Sequence, residues 1–134
     1  MTYTVVVGFI ESPEGRAALA AAADEAELRH ARLVVVNSSR GGNEEVDAVQ
    51  SVRDQLARAL AGLRARGLDA EVLECARGND PAGDLLGIAT ERQAGLVVIG
   101  LRRRSPVGKF IMGSNAQDIL LSADCPVLAV KADS

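Results

Sequence analysis

Aromatic side chains are nearly absent from this 134-residue chain: Tyr3, Phe9 and Phe110 are the whole set, and tryptophan does not occur. That excludes a platform for single-stranded nucleic acid, which stacks successive bases on aromatic faces, and it leaves little to stack a flavin or a sugar. Histidine occurs once, at His30, and cysteine twice, at Cys75 and Cys125, fifty residues apart. Such a set makes neither a disulfide framework nor a Cys/His zinc site, so no metal is expected on protein ligands. No apolar run approaches the ~18–20 residues of a membrane span. Met1-Thr2-Tyr3-Thr4 lacks a charged n-region, so the run from Val5 to Ile10 is not read as a signal peptide. A cytoplasmic protein with no membrane partner is expected. Excess positive charge is missing as well, and a net charge of −3 gives no overall attraction to nucleic acid.

What is present is globular: 48% hydrophobic and 25% charged residues, in a length that suits a single domain over residues 1–134. Short Val-rich runs alternate with longer helical patterns. Tyr3–Ile10 reads as a strand buried on both faces, and Leu33–Asn37 as a second. Between them Ser12-Pro13-Glu14 opens an Ala-rich helix to about Arg29, with Ser as cap, Pro in the first turn and Glu favouring the dipole. After the linker-like Ser39–Asn43, Val49, Val52, Leu56, Leu60 and Leu63 recur at spacings of three and four and predict a long amphipathic helix ending at Gly67. Asp69–Cys75 reads as a third strand, Asp80-Pro81 as the start of a third helix, and Gly95–Gly100 as a fourth strand. A basic loop, a helix from Gly113-Ser114, and a fifth strand over Pro126–Lys131 complete the chain. Strict alternation predicts an α/β fold, a parallel five-stranded sheet with helices on both faces. In such folds ligands collect beyond the carboxyl ends of the strands, where the strand order reverses.

One of those ends carries distinctive chemistry. Leu101–Gly113 holds Arg102, Arg103, Arg104 and Lys109 and no acidic residue. Its +4, set against the net −3, leaves −7 for the rest of the chain. A focused basic patch on an acidic body suits a compact anion better than a polyanion. Gly113-Ser114 then opens a helix, whose free N–H groups and partial positive charge can hold that anion. Ser114 and Gln117 also match a capping box, which alone would account for the serine. Gly108-Lys109 lacks the glycine spacing of a Walker A loop, and no Gly-x-Gly-x-x-Gly occurs.

The chain resembles the universal stress protein family. Gly100, two residues, Arg103, nine residues and Gly113-Ser114 is similar to that family's signature of Gly, two residues, Gly, nine residues, Gly and Ser or Thr. Cys125-Pro126-Val127, the Gly78-to-Pro81 stretch and Ser12-Pro13-Glu14 extend the resemblance over the whole chain. It implies a doubly wound α/β fold with strand order 3-2-1-4-5 and a homodimer formed through the last strand, Pro126–Lys131. It also implies ATP or AMP as ligand. By resemblance Ile10 and Ser38 meet the adenosine, Gly100 and Gly113 the ribose and phosphates, and Ser114 and Asn115 the phosphates, with Arg102 and Arg103 beside them. Two positions depart from the family pattern. Ile10 stands where nucleotide-binding members carry Asp, removing an acceptor, and Arg103 stands for the signature's second glycine. Arg103 either fills the phosphate space or pairs with a phosphate bidentately.

Other residues carry simpler readings. His30 near a helix end favours the dipole, Asp80 caps a helix, and Cys75 and Cys125 are small strand-associated hydrophobes. No acid/base pair or Mg²⁺ site is named at Glu11, and Ile10–Glu14 lacks the phosphate loop of a flavodoxin-like carrier. Nor does it supply the acidic pair of a response-regulator receiver. No nucleophile–base constellation is visible, so no enzyme is expected, and slow ATP hydrolysis would have no nominated residue. Two functions remain: an adenine-nucleotide-binding stress sensor or regulator, and a non-nucleotide dimeric module whose basic loop contacts another anion or an acidic protein partner.

Overall fold

In the computed structural model the residues described are 3–38, 46–75, 80–101 and 113–132, the side chains of 46–49 excepted. Val5, Val6 and Val7 have no solvent contact. They belong to β1 (Thr4–Phe9), the middle strand of the sheet, and a residue run apolar on both sides is what a strand covered on both faces requires. The chain continues through α1 (Pro13–Arg29), β2 (Arg32–Asn37), α2 (Val46–Ala65), β3 (Ala70–Glu74) and α3 (Pro81–Glu91). It closes with β4 (Leu96–Leu101), α4 (Ser114–Ser122) and β5 (Val127–Lys131). All four strand pairings are parallel and the order is β3-β2-β1-β4-β5. The expected doubly wound α/β fold, with its strand order, is therefore present.

Successive side chains of a strand point to opposite faces, and here that splits the core in two. Val5, Val7, Phe9, Leu33 and Val35 pack under α1 and α2, against Ala18, Ala22, Ala26, Leu56 and Leu60. Val6, Val34, Val36, Val97 and Ile99 pack under α3 and α4, against Ala82, Leu85, Ala89 and Ile119. Burying each such valine contributes about 1.5–3 kcal/mol, so the two faces together outweigh any surface ion pair, each of which is worth about 0–1 kcal/mol. The buried stripe of α1 is Gly15, Ala18, Ala22, Ala23 and Ala26, small residues at spacings of three and four that let the helix lie close on the sheet. The predicted stripe of α2 is matched at Leu56 and Leu60, which are buried, with Val52 and Leu63 partly so.

The helix ends follow local chemistry, with one correction. Ser12 caps α1 as predicted, its Oγ accepting from the Gly15 N–H at 3.0 Å. Asp80 occupies the cap position of α3, but its side chain makes no capping bond. At α4 the cap is Gly113, so the capping box read at Ser114 and Gln117 is overturned. Ser114 is already the first helical residue, and Gln117 N–H instead bonds the Gly113 carbonyl at 3.0 Å. Cys75 follows β3 rather than lying in it, its N–H bonding the Asn37 carbonyl.

Candidate functional site

The strand order reverses between β1 and β4: the chain winds from β1 outward to β2 and β3, then returns to β4 and β5. Crossover loops leave a crevice at such a point, beyond the carboxyl ends of the two strands. A cavity of about 100 Å³ opens there. Gly8 and Ile10 bring the end of β1 to it, Ile99 and Gly100 the end of β4, and Ser38 the residue after β2. The N-terminal halves of three helices supply the remaining wall: Glu14 and Gly15 of α1, Pro81, Ala82 and Leu85 of α3, and Asn115, Ala116 and Ile119 of α4. A helix N-terminus carries partial positive charge and unpaired N–H groups, so three of them converging favour a negatively charged ligand. Between them the surface is aliphatic.

Two glycines set how closely the site's walls approach. A Cβ on Gly100 would lie 2.3 Å from the Glu14 carbonyl oxygen, and one on Gly15 would lie 1.8 Å from that of Ile10. The first turn of α1 therefore rests directly on the end of β4, and Gly100 has a packing reason for being glycine whatever binds beside it. Gly113 is different: among the described residues an added Cβ would meet nothing within 4 Å, and its backbone, φ −72°, suits any residue.

Of the residues nominated from sequence, Ile10, Ser38, Gly100 and Asn115 line this one cavity although they come from four separate segments. Ile10 is 53% exposed, an apolar side chain at the mouth. Gly113 and Ser114 are exposed at the start of α4, immediately before Asn115, and are not among the lining residues. Arg102, Arg103, Arg104, Lys109 and Phe110 lie outside the described residues, as do the Ser39–Asn43 linker and Gly78. The lining from Gly8, Glu14, Gly15, Pro81, Ala82, Leu85, Ile99, Ala116 and Ile119 was not nominated. Pro81 and Gly15, each a helix-opening residue facing a strand end, were the available signals for it.

One polar group at the site has depth behind it. Ser38 Oγ lies 3.5 Å from Cys75 Sγ, and either atom can donate. Burial pushes the Cys75 thiol up from its ordinary value of 9.0, and the nearby Asp84 and Glu74 carboxylates push it further, while the Ser38 contact pulls the other way. Cys125 is raised as well, by burial and then by Asp124. Both are protonated thiols at neutral pH and poor nucleophiles. Among the described residues no group of three or more His, Cys, Asp or Glu is placed to hold a metal, and no helix is long and apolar enough to cross a membrane.

A larger cavity, about 380 Å³, lies between α1 and α2 and is lined by Phe9, Leu19, Ala23, Leu56, Ala59 and Leu63, among others. Its two lining arginines are engaged, Arg16 with Glu11 and Arg66 with Glu27. It is an apolar gap between helices, with no convergence of strand ends or helix N-termini.

Comparison with known proteins agrees with this architecture. Residues 1–131 match the Universal stress protein family. A universal stress protein of Mycolicibacterium smegmatis is 39% identical over 127 residues, covering 95% of this chain and 96% of that one. The structure of a universal stress protein from Archaeoglobus fulgidus superposes with a TM-score of 0.76 at 35% identity, covering 98% of this chain and 99% of that one. A second from Archaeoglobus fulgidus, solved in complex with dAMP, superposes with a TM-score of 0.70 at 30% identity, covering 98% of each. The chain belongs to the universal stress protein family.

Proposed function

We propose that this protein binds an adenine nucleotide, ATP or AMP, at the carboxyl edge of β1 and β4 and acts in the stress response as a sensor or regulator, not as a catalyst. The observation that carries this reading is the meeting of Ile10, Ser38, Gly100 and Asn115 in one cavity at the point where strand order reverses. The dAMP complex of the Archaeoglobus fulgidus relative supports it from outside the chain. With no aromatic among the described lining residues, the base packs on the aliphatic surface of Ile10, Leu85, Ile99 and Ile119. The phosphates run toward Gly113, Ser114 and Asn115 at the start of α4, with Arg102 and Arg103 as their counter-charges. Arg103 in place of glycine then serves as a phosphate ligand, and Ile10 gives apolar contact where an Asp would accept a hydrogen bond.

The same reading makes residues 1–134 one cytoplasmic domain that pairs with a second copy through β5. That strand is the sheet edge, and Val127, Leu128, Ala129 and Val130 on it are only half-buried.

Thermal unfolding with and without AMP and ATP tests the nucleotide claim. A ligand at about a hundred times its Kd adds about 2.7 kcal/mol, so the melting temperature rises by several degrees. The double variant Arg103→Glu, Ser114→Ala loses most of that rise. No rise at millimolar nucleotide sinks the reading and leaves the basic loop to an acidic partner.

A further inference from the structure

The larger cavity, between α1 and α2, shares no lining residue with the one at the strand reversal and has no part in the nucleotide reading. Its origin lies in the two helices that flank it. Small residues face the gap, Ala20 and Ala23 from α1 and Ala59 from α2, so the helices do not fill the space between them. Phe9 and Leu56 are buried beneath and make an apolar floor, while Ala20 and Ala59 are exposed and leave the top open. The lining runs from Arg16 to Asp24 on α1 and from Gln55 to Arg66 on α2. At about 1.5 Å of rise per residue that makes a trough ~12–16 Å long. Its volume of about 380 Å³ falls in the range of small-ligand sites, ~300–1,000 Å³. Its charges do not cancel. At one end Arg16 pairs with Glu11; at the other Arg66 pairs with Glu27, one turn beyond Asp24 on α1. Asp24 itself has no hydrogen bond or ion pair among the described residues, which leaves one negative charge over at that end.

We propose that this trough is a second ligand site, for a small amphiphilic cation: an unbranched alkyl or arylalkyl chain lying on Phe9, Leu56 and Ala59, with its ammonium group against Asp24. The length and narrowness of the trough suit a single chain, and its apolar floor supplies the driving force, since each carbon that enters leaves water. The unpaired carboxylate supplies the direction. A neutral chain of the same length gains the apolar contact alone. A fatty anion gains less, because Arg16 or Arg66 can meet it only by releasing Glu11 or Glu27 and leaving that carboxylate without its partner. The site lies over the α1 and α2 face of the sheet, so it fills whether or not a nucleotide is bound at the strand reversal.

Titration of the ¹⁵N-labelled protein with n-octylammonium, n-octanol and n-octanoate tests the site, without nucleotide and below the concentration at which each chain forms micelles. Saturable amide shifts at Phe9, Ala20, Leu56 and Ala59 are expected with n-octylammonium. It should bind about threefold to fivefold more tightly than n-octanol, the worth of one exposed ion pair, with n-octanoate weakest. Asp24→Asn brings n-octylammonium to the level of n-octanol and leaves n-octanol unchanged. Ala59→Phe fills the trough and abolishes the shifts with all three probes; if that variant does not fold, Ala20→Met carries the same test from α1. Equal binding of n-octanol and n-octylammonium, tighter binding of n-octanoate, or a preference unchanged in Asp24→Asn overturns the choice of a cation. Absence of shifts in the trough at millimolar n-octylammonium, or shifts centred on Gly8 and Ser38 instead, overturns the site.

Discussion

Glycine has opposite meanings at different positions of this chain, and the difference is measurable. Gly62 lies inside α2, exposed, and an added Cβ would meet nothing within 4 Å. Gly62→Ala removes only the entropic cost of a flexible residue in a helix and is expected to stabilise by about 0.5–1 kcal/mol. Gly100→Ala places its methyl 2.3 Å from the Glu14 carbonyl oxygen and 2.7 Å from the carbonyl carbon. Backbone cannot swing aside as a side chain can, so α1 must lift from β4 at a cost of about 1–3 kcal/mol. Urea unfolding of the two variants should shift the midpoint in opposite directions; a neutral Gly100→Ala would show that the close approach of α1 to β4 is not tight. In the sequence Gly100 was legible as part of a spacing pattern. Its contact with Glu14, eighty-six residues earlier, was not, because only the folded crossover brings the two together.

Three of the four described helices end in the same way. After α2, Gly67 takes a φ of +92° while Leu68 N–H reaches back to the Leu63 carbonyl and Gly67 N–H to that of Arg64. His30 and Gln93 do the same after α1 and α3, at φ +52° and +53°, with Ala31 bonding Ala26 and Ala94 bonding Ala89. This left-handed cap satisfies the last free carbonyls, and glycine is its natural occupant. Gln93→Gly relieves a left-handed strain of about 1–2 kcal/mol at the cost of a more flexible unfolded chain, for a net gain of about 0.5–1 kcal/mol. Differential scanning calorimetry should show a higher melting temperature for Gln93→Gly, and a lower one would mean that the side chain contributes more than the backbone loses. Element positions were legible in the sequence because hydrophobic period and helix-opening residues agree: Ser12-Pro13 and Asp80-Pro81 each stand at a real helix start. The two non-glycine caps were not legible, since nothing in His-Ala or Gln-Ala marks a turn. The misread capping box at Ser114 has the same origin, because a pattern fixed to within one residue does not say which residue is the cap.

Across the molecule, the two aromatics among the described residues, Tyr3 and Phe9, serve construction more than function. Tyr3 packs against Gly95 at the other end of the sheet, its hydroxyl donating to the Gly95 carbonyl at 2.8 Å, with Arg29 stacked 5.2 Å over the ring. Phe9 is buried under α1. Neither lines the cavity at the strand reversal, which is aliphatic with a polar wall at Ser38. Alternation of strand and helix made the fold and the neighbourhood of the site legible, because topology alone forces the carboxyl ends of β1 and β4 together. The floor of the site was not, since Leu85 and Ile119 look like any other core-facing helix residues until the helices are docked. Amide chemical shifts of the ¹⁵N-labelled protein titrated with AMP test the central claim most directly. Saturable shifts at Gly8, Ile10, Ser38, Gly100, Asn115 and Ala116, with Ala20 and Ala59 beside the larger cavity unmoved, are the predicted result. Shifts centred between α1 and α2, or none at millimolar AMP, would contradict it.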